Sequence, residues 1–202
     1  MATPLRIDFV SDVACPWCVI GLRSLMKALE AVGDDVEAEI HFQPFELNPD
    51  MAPEGENTTE HVIKKYGSNP ERSAASRNAM KESGDALGFT FNYGPQSRIW
   101  NTFDAHRLLH WAGVEGKQLE LKEALFKANF TDQLSTSDHE VLVGAAVAAG
   151  LDEERARQVL ASGEFTDEVR RDEMLWRNRG ISAVPSVIFN QRWMVQGGQP
   201  PQ

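Results

Sequence analysis

The 202-residue chain contains two cysteines, and both fall in one tetrapeptide, Cys15-Pro16-Trp17-Cys18. That use of cysteine excludes a disulfide-stapled scaffold, which needs several bridges to make up for a small core. No such help is needed here, because 42% hydrophobic and 25% charged residues is ordinary globular composition. The pair is therefore read as chemistry rather than as a staple.

Its surroundings say which chemistry. Leu5, Ile7 and Phe9 alternate with Arg6 and Asp8, which is strand period, and Val36 to Phe42 alternates in the same way. Between them Pro16 to Val32 reads as a helix, so the opening is a βαβ unit with parallel strands. Pro16 suits the first helical position, which puts Cys15 at the N-cap. The Cys15 sulfur is expected to face the free N–H groups of Trp17 and Cys18 and the positive end of the helix dipole, favouring thiolate over thiol. Cys18 lies on the same helix face and begins the apolar stripe Cys18, Leu22, Leu25, Leu29, Val32. The expectation is an exposed, reactive Cys15 and a buried Cys18 of higher pKa that attacks only a mixed disulfide formed on Cys15. Trp17 is read as packing beside the site or as an apolar wall for substrate. Asp12 reads either as a solvated turn residue or as a proton acceptor for Cys18.

A Cys-x-x-Cys can also be half of a zinc or iron–sulfur site. Here no third cysteine exists, so His41, His61, His106, His110 or His139 would have to complete it. His106 and His110 have helical i, i+4 spacing without any supporting motif, and no metal is expected. The net charge, 20 Lys+Arg against 30 Asp+Glu or −10, argues against nucleic acid or a membrane surface as partner. The first residues carry neither a basic nor an apolar signal region, which reads as a cytoplasmic protein.

Farther along, residues 48–59 form the clearest loop. The chain is then helix-rich, with apolar stripes at Ala105, Leu108, Leu109, Ala112 and at Leu121, Ala124, Leu125, Ala128. Ser137 to Glu140 has capping-box spacing before the run Val141 to Leu151, and Asp152 caps a helix over 153–161. A charged helix over 167–179 stops at Gly180. Ser186 to Phe189 and Trp193 to Val195 read as an antiparallel hairpin around Asn190-Gln191-Arg192. Trp100, Trp111, Trp176 and Trp193 are read as packing residues. The order is β-α-β, a helical insertion, then α-β-β, an α/β chain whose two ends share one mixed sheet.

These residues carry a resemblance. Asp8-Phe-Val-Ser-Asp-Val-Ala-Cys-Pro-Trp-Cys18 and Gly180-Ile-Ser-Ala-Val-Pro185 are its specific segments; Pro44 to Pro49, Asn101 to Arg107 and Gly197 to Pro200 support it. The chain resembles the thioredoxin-like superfamily, and within it the DsbA-type oxidoreductases, in particular their FrnE-like cytoplasmic branch. The resemblance implies a discontinuous thioredoxin-like domain over 1–57 and 166–202 with an α-helical subdomain over 58–165. It implies a catalytic Cys15, a resolving Cys18, and a cis proline at Pro185 with Val184 beside Cys15 to pair with a substrate strand. It places Asn101 and His106 near the site, while Phe45, Leu47 and Asn48 line the substrate groove or serve as core and turn. Such proteins continue past Gly197-Gly-Gln-Pro200 into a further helix.

The expected activity is dithiol–disulfide exchange with a protein or small-molecule thiol, without an organic cofactor and with glutathione as the one candidate co-substrate. Because Trp17, unlike histidine, brings no positive charge to Cys15, the potential is expected between about −270 and about −120 mV. A competing reading is a glutathione-dependent isomerase or transferase of the 2-hydroxychromene-2-carboxylate isomerase or kappa-class type, although those show serine at the position of Cys15. A third is a non-catalytic binding module on the same fold, which the intact cysteine pair disfavours.

Overall fold

The computed structural model describes residues 2–201. Its main sheet has the order β2-β1-β5-β6, built from β1 (Thr3–Ser11), β2 (Val36–Pro44), β5 (Ser186–Phe189) and β6 (Trp193–Gln196). β1 and β2 run parallel through the register Thr3↔Val36 to Ser11↔Pro44, while β5 pairs antiparallel with β1, and β6 antiparallel with β5. The crossover between the parallel strands is helix α1 (Pro16–Val32).

Strand alternation decides the two faces. Ile7 and Phe9 point to one side, where they pack with Cys18, Leu22, Leu25 and Phe42. Val10 points to the other, with Phe45, Trp176, Ile181 and Ile188. That second face is covered by helix α8 (Thr166–Asn178). Asp8 shares it, and its carboxylate is buried while accepting from Arg6 (Nη2, 2.8 Å) and Gln43 (Nε2, 2.8 Å).

A short ribbon of β3 (Glu56–Asn57) and β4 (Arg98–Ile99) brackets α2 (Thr58–Tyr66) and α3 (Pro70–Ala86). Then come α4 (Phe103–Val114), α5 (Gln118–Phe126), α6 (His139–Ala148) and α7 (Glu153–Ser162). Ala105, Leu108, Leu109 and Ala112 of α4 meet Leu121 and Leu125 of α5 and Leu142 and Val159 of the next two helices in a separate core. Arg107 ties this bundle together from inside: its buried guanidinium donates to the carbonyls of Val159 and Glu164 and to Asp104. After α5 the chain widens into a π-type turn over Lys127–Thr131.

Three local expectations change. The cap of α6 is Asp138, whose carboxylate accepts from the Glu140 N–H at 2.8 Å; aspartate one residue later out-competes Ser137 for the exposed donors. Val32 ends α1 exposed, beyond the helix's buried residues, which run from Cys18 to Leu25. Trp193 is no packing residue: β6 is an edge strand, and Trp193, Met194 and Val195 are all exposed. No helix among the described residues is long and apolar enough to cross a membrane.

Candidate active site

β1 delivers the chain to a tight turn, Asp12-Val13-Ala14, that leads into α1. The Cys15 N–H donates to the Asp12 carbonyl at 3.2 Å. The Asp12 side chain is not solvated. It is buried, and one oxygen accepts from the Ala14 N–H (3.2 Å) and the Thr102 hydroxyl (2.7 Å), the other from the Leu47 N–H (2.7 Å). His106 Nε2 stands 3.4 Å from the first oxygen. Burial pushes the Asp12 carboxyl up, but these groups, His106 foremost, outweigh it and hold the pKa below the ordinary value. From the insertion, Asn129 adds a hydrogen bond to the Val13 carbonyl (Nδ2, 3.1 Å). The turn that aims Cys15 is therefore clamped by the second strand's exit loop and by the helical bundle.

Cys15 occupies the N-cap with extended backbone (φ −97°, ψ 110°), and Pro16 opens the helix. Its sulfur makes no hydrogen bond to the helix N–H groups. The Cys18 N–H is already taken by the Cys15 carbonyl (3.0 Å), and the Cys15 thiol donates instead to the Val184 carbonyl at 3.5 Å. Nor is Cys15 exposed: it retains 4% of its accessible surface, because the Val184–Pro185 loop lies over it. Cys18 has none. The two thiols are unbridged. Burial, the Cys15 hydrogen bond and the Cys15 charge together raise the Cys18 pKa well above that of an ordinary thiol.

The Val184–Pro185 peptide is cis. Pro185 is buried against α1, where Gly21 leaves room for it: a Cβ on Gly21 would stand 2.9 Å from Pro185 Cγ. Trp17 remains 38% exposed at the rim.

The groove candidates separate. Phe45 is buried on the α8 face under the Arg177 guanidinium, 4.4 Å from its ring centroid. His106 is buried behind Asp12, because its face of α4 turns toward the sheet. Asn48 accepts from Lys65 (Nζ, 2.6 Å) and sits 3.0 Å from His61 Nε2. Asn101 donates to the Met51 carbonyl (2.9 Å) and accepts from the Phe103 N–H (2.9 Å). Both fasten loops.

Several further residues near the thiols carry no mark in the sequence. Tyr66, exposed at the end of α2, and Tyr93, in the loop after α3, both lie close enough to Cys15 for its charge to raise their pKa, after burial as the larger cause. Lys122 of α5 is buried and within electrostatic reach of Cys18, Asp12 and Cys15. Thr102 and Asn129 support the turn. No distinctive spacing marked any of these five. No cluster of His, Cys, Asp and Glu suited to a metal ion occurs among the described residues.

A parallel βαβ unit with a thiol pair at its helix N-terminus, completed by an antiparallel hairpin and interrupted by a helical insertion, defines the thioredoxin-like class. Within it the chain belongs to the DSBA-like thioredoxin domain family, whose model matches residues 6–202. It is 35% identical to a probable DsbA oxidoreductase from Streptomyces coelicolor, with a TM-score of 0.91 over 98% of this chain and 85% of that one. It is 25% identical to protein YwbO of Bacillus subtilis (strain 168), over 92% of this chain and 86% of that protein. The structure of a 2-hydroxychromene-2-carboxylate isomerase shares the fold at 14% identity, with a TM-score of 0.70 over 96% of this chain and 89% of the other.

Proposed function

We propose that the protein is a thiol–disulfide oxidoreductase in which Cys15 is the nucleophile and Cys18 the resolving thiol. The observation that carries this reading is the unequal placement of the two sulfurs. Cys15 stands at the head of α1 against the Val184 carbonyl, whereas Cys18 has no accessible surface and hydrogen-bonds with Cys15.

In the reducing direction the Cys15 thiolate attacks one sulfur of a substrate disulfide, and the other leaves as a thiolate. The Cys18 thiolate then attacks Cys15, forming the Cys15–Cys18 bond and releasing the second substrate thiolate. Two electrons pass from the dithiol to the substrate, and an external thiol restores the dithiol. Run backwards, the same steps oxidise a substrate dithiol. An extended substrate strand docks beside Val184, whose carbonyl is already directed at the site. Trp17 at the rim and Tyr66 beyond it supply the apolar and aromatic surface.

The substrate is a protein or small-molecule thiol or disulfide. Glutathione is the natural recycling partner, and no organic cofactor takes part. A reducing cytoplasm suits a chain whose only cysteines are this pair. The cysteine pair also favours exchange over glutathione-dependent isomerisation on the same fold.

Insulin reduction tests the reading. Activity is expected from the wild type and none from Cys15→Ser, while Cys18→Ala accumulates a mixed disulfide on Cys15. Undiminished glutathione-dependent isomerisation of the chromene substrate by Cys18→Ser would favour the isomerase instead.

A further inference from the structure

A cleft of about 510 Å³ lies between the free edge of β2 and helices α4 and α5, a volume that suits a small molecule. Ile40, Leu109 and Leu119 give it an apolar flank. Its wall is held in shape by Gln118, whose carboxamide meets the Phe42 backbone as another strand would. It accepts from the Phe42 N–H (2.9 Å), and donates to the Phe42 carbonyl (3.1 Å) and the Leu109 carbonyl (3.1 Å). Neither Val184 nor Trp17 lines any part of the cleft, so it is distinct from the rim of the thiol site.

The charges of the lining are unequally matched. Each acid has a basic neighbour: Glu39 has His41 at 3.1 Å, Glu120 has Lys117 at 3.0 Å and Asp172 has His110 at 3.8 Å. Lys122, in the same lining, has none. It keeps 1% of its surface, and among the described residues its ammonium makes neither an ion pair nor a hydrogen bond. It rests on ring faces, 5.0 Å from the Phe126 centroid and 6.0 Å from that of Phe42. Asp12 does not pair with it, because its oxygens accept from Ala14, Thr102 and Leu47. Burial lowers the Lys122 pKa to about 8, which leaves the group mainly cationic at neutral pH. A buried charge in that condition is costly, and a ligand that brings the opposite charge recovers part of the cost.

We propose that the cleft binds a small amphipathic carboxylic acid, its carboxylate on the Lys122 ammonium and its apolar body along Ile40, Leu109 and Leu119. A neutral ligand would leave Lys122 unmatched, and a cation would add to its charge. A phosphate would bring up to two charges to one ammonium, with no arginine in the lining to share them. The apolar flank in turn selects against a purely polar acid. The site stands independently of the disulfide-exchange reading.

Benzoate, benzamide and benzylammonium share one ring and differ in charge, and they serve as probes. Their binding can be followed by NMR through the Gln118 side-chain amide, which reports on the cleft itself. Wild type is expected to bind benzoate at least about tenfold more tightly than benzamide, and benzylammonium more weakly than either. Lys122→Met is expected to weaken benzoate at least about tenfold and to leave benzamide nearly unchanged. Benzoate binding is expected to survive Cys15→Ser. Wild type that binds benzamide as tightly as benzoate, or that binds no benzoate at millimolar concentration, overturns the proposal. Neither result needs a variant, so the proposal is decided even if Lys122→Met fails to fold. A folded Lys122→Met with wild-type benzoate affinity overturns it equally. Loss of benzoate binding in Cys15→Ser would place the acid at the thiols and overturn it as well.

Discussion

At the scale of single residues, Asp12 shows how much a buried carboxylate can organise. It receives two backbone N–H groups and a hydroxyl, with an imidazole alongside, and so joins the active-site turn to the loop after β2 and to α4. Asp12→Ala would strand these donors without water. It is expected to destabilise the fold by about 3–5 kcal/mol, read as a lowered urea midpoint at unchanged slope. A loss below about 1 kcal/mol would mean that the turn holds itself. The cysteine pair was plain in the sequence because its chemistry is local: four residues, a proline and a helix start. The partners of Asp12 were not. Thr102 lies 90 residues away, and its sequence neighbourhood carries no mark of the contact. The same holds for Lys122, one lysine among many until burial singles it out. The sequence misled on the Cys15 thiol, because cap logic aims the sulfur at the helix, whereas the thiol donates its hydrogen bond to the distant Val184 carbonyl.

At the scale of elements, two packings set the geometry of the site. Helix α1 approaches the Pro185 loop so closely that only glycine fits at Gly21. Gly21→Ala is expected to cost about 1–3 kcal/mol through overpacking, and to slow thiol capture by moving the Val184 carbonyl from Cys15. Wild-type stability and capture rates would show that the loop yields freely. The second packing is α8 on the exit of β2. Glu46 and Glu173 share Arg170, and one oxygen of each carboxylate is buried without a partner. Burial and the Glu173 charge push Glu46 up to about 7 from an ordinary 4.5. The folded state thus holds a proton that the unfolded chain releases, and this contribution is complete below about pH 4.5 and lost as pH rises toward 7. Melting temperatures across that range should fall less steeply for Glu46→Gln than for the wild type; parallel curves would place the titration elsewhere. Helix α1 was legible to its terminal residues, and α4 to α8 from caps and stripes, whereas α2 and α3 were marked only as part of a helix-rich stretch. The α8 packing was not, since its key pair joins residues 124 apart.

At the scale of the molecule, the insertion is part of the site. It closes the back of the active-site turn through Thr102, His106 and Asn129 and contributes Lys122. The β-α-β and α-β-β ends could be read from strand period and turn chemistry, and the pairing of β5 with β1 makes them one sheet. How the helices lie on that sheet depends on long-range packing that hydrophobic period does not encode. Both sulfurs are buried, where an exposed Cys15 was expected, so the proposed division of labour turns on which of them a substrate meets first. The direct test is the intact mass of reduced protein after exposure to glutathione disulfide. Wild type is expected to become an internal disulfide with no adduct, Cys18→Ala to hold one glutathione on Cys15, and Cys15→Ala to hold none. An adduct on Cys18 in Cys15→Ala, or no adduct on Cys15 in Cys18→Ala, would contradict the assignment of the two thiols.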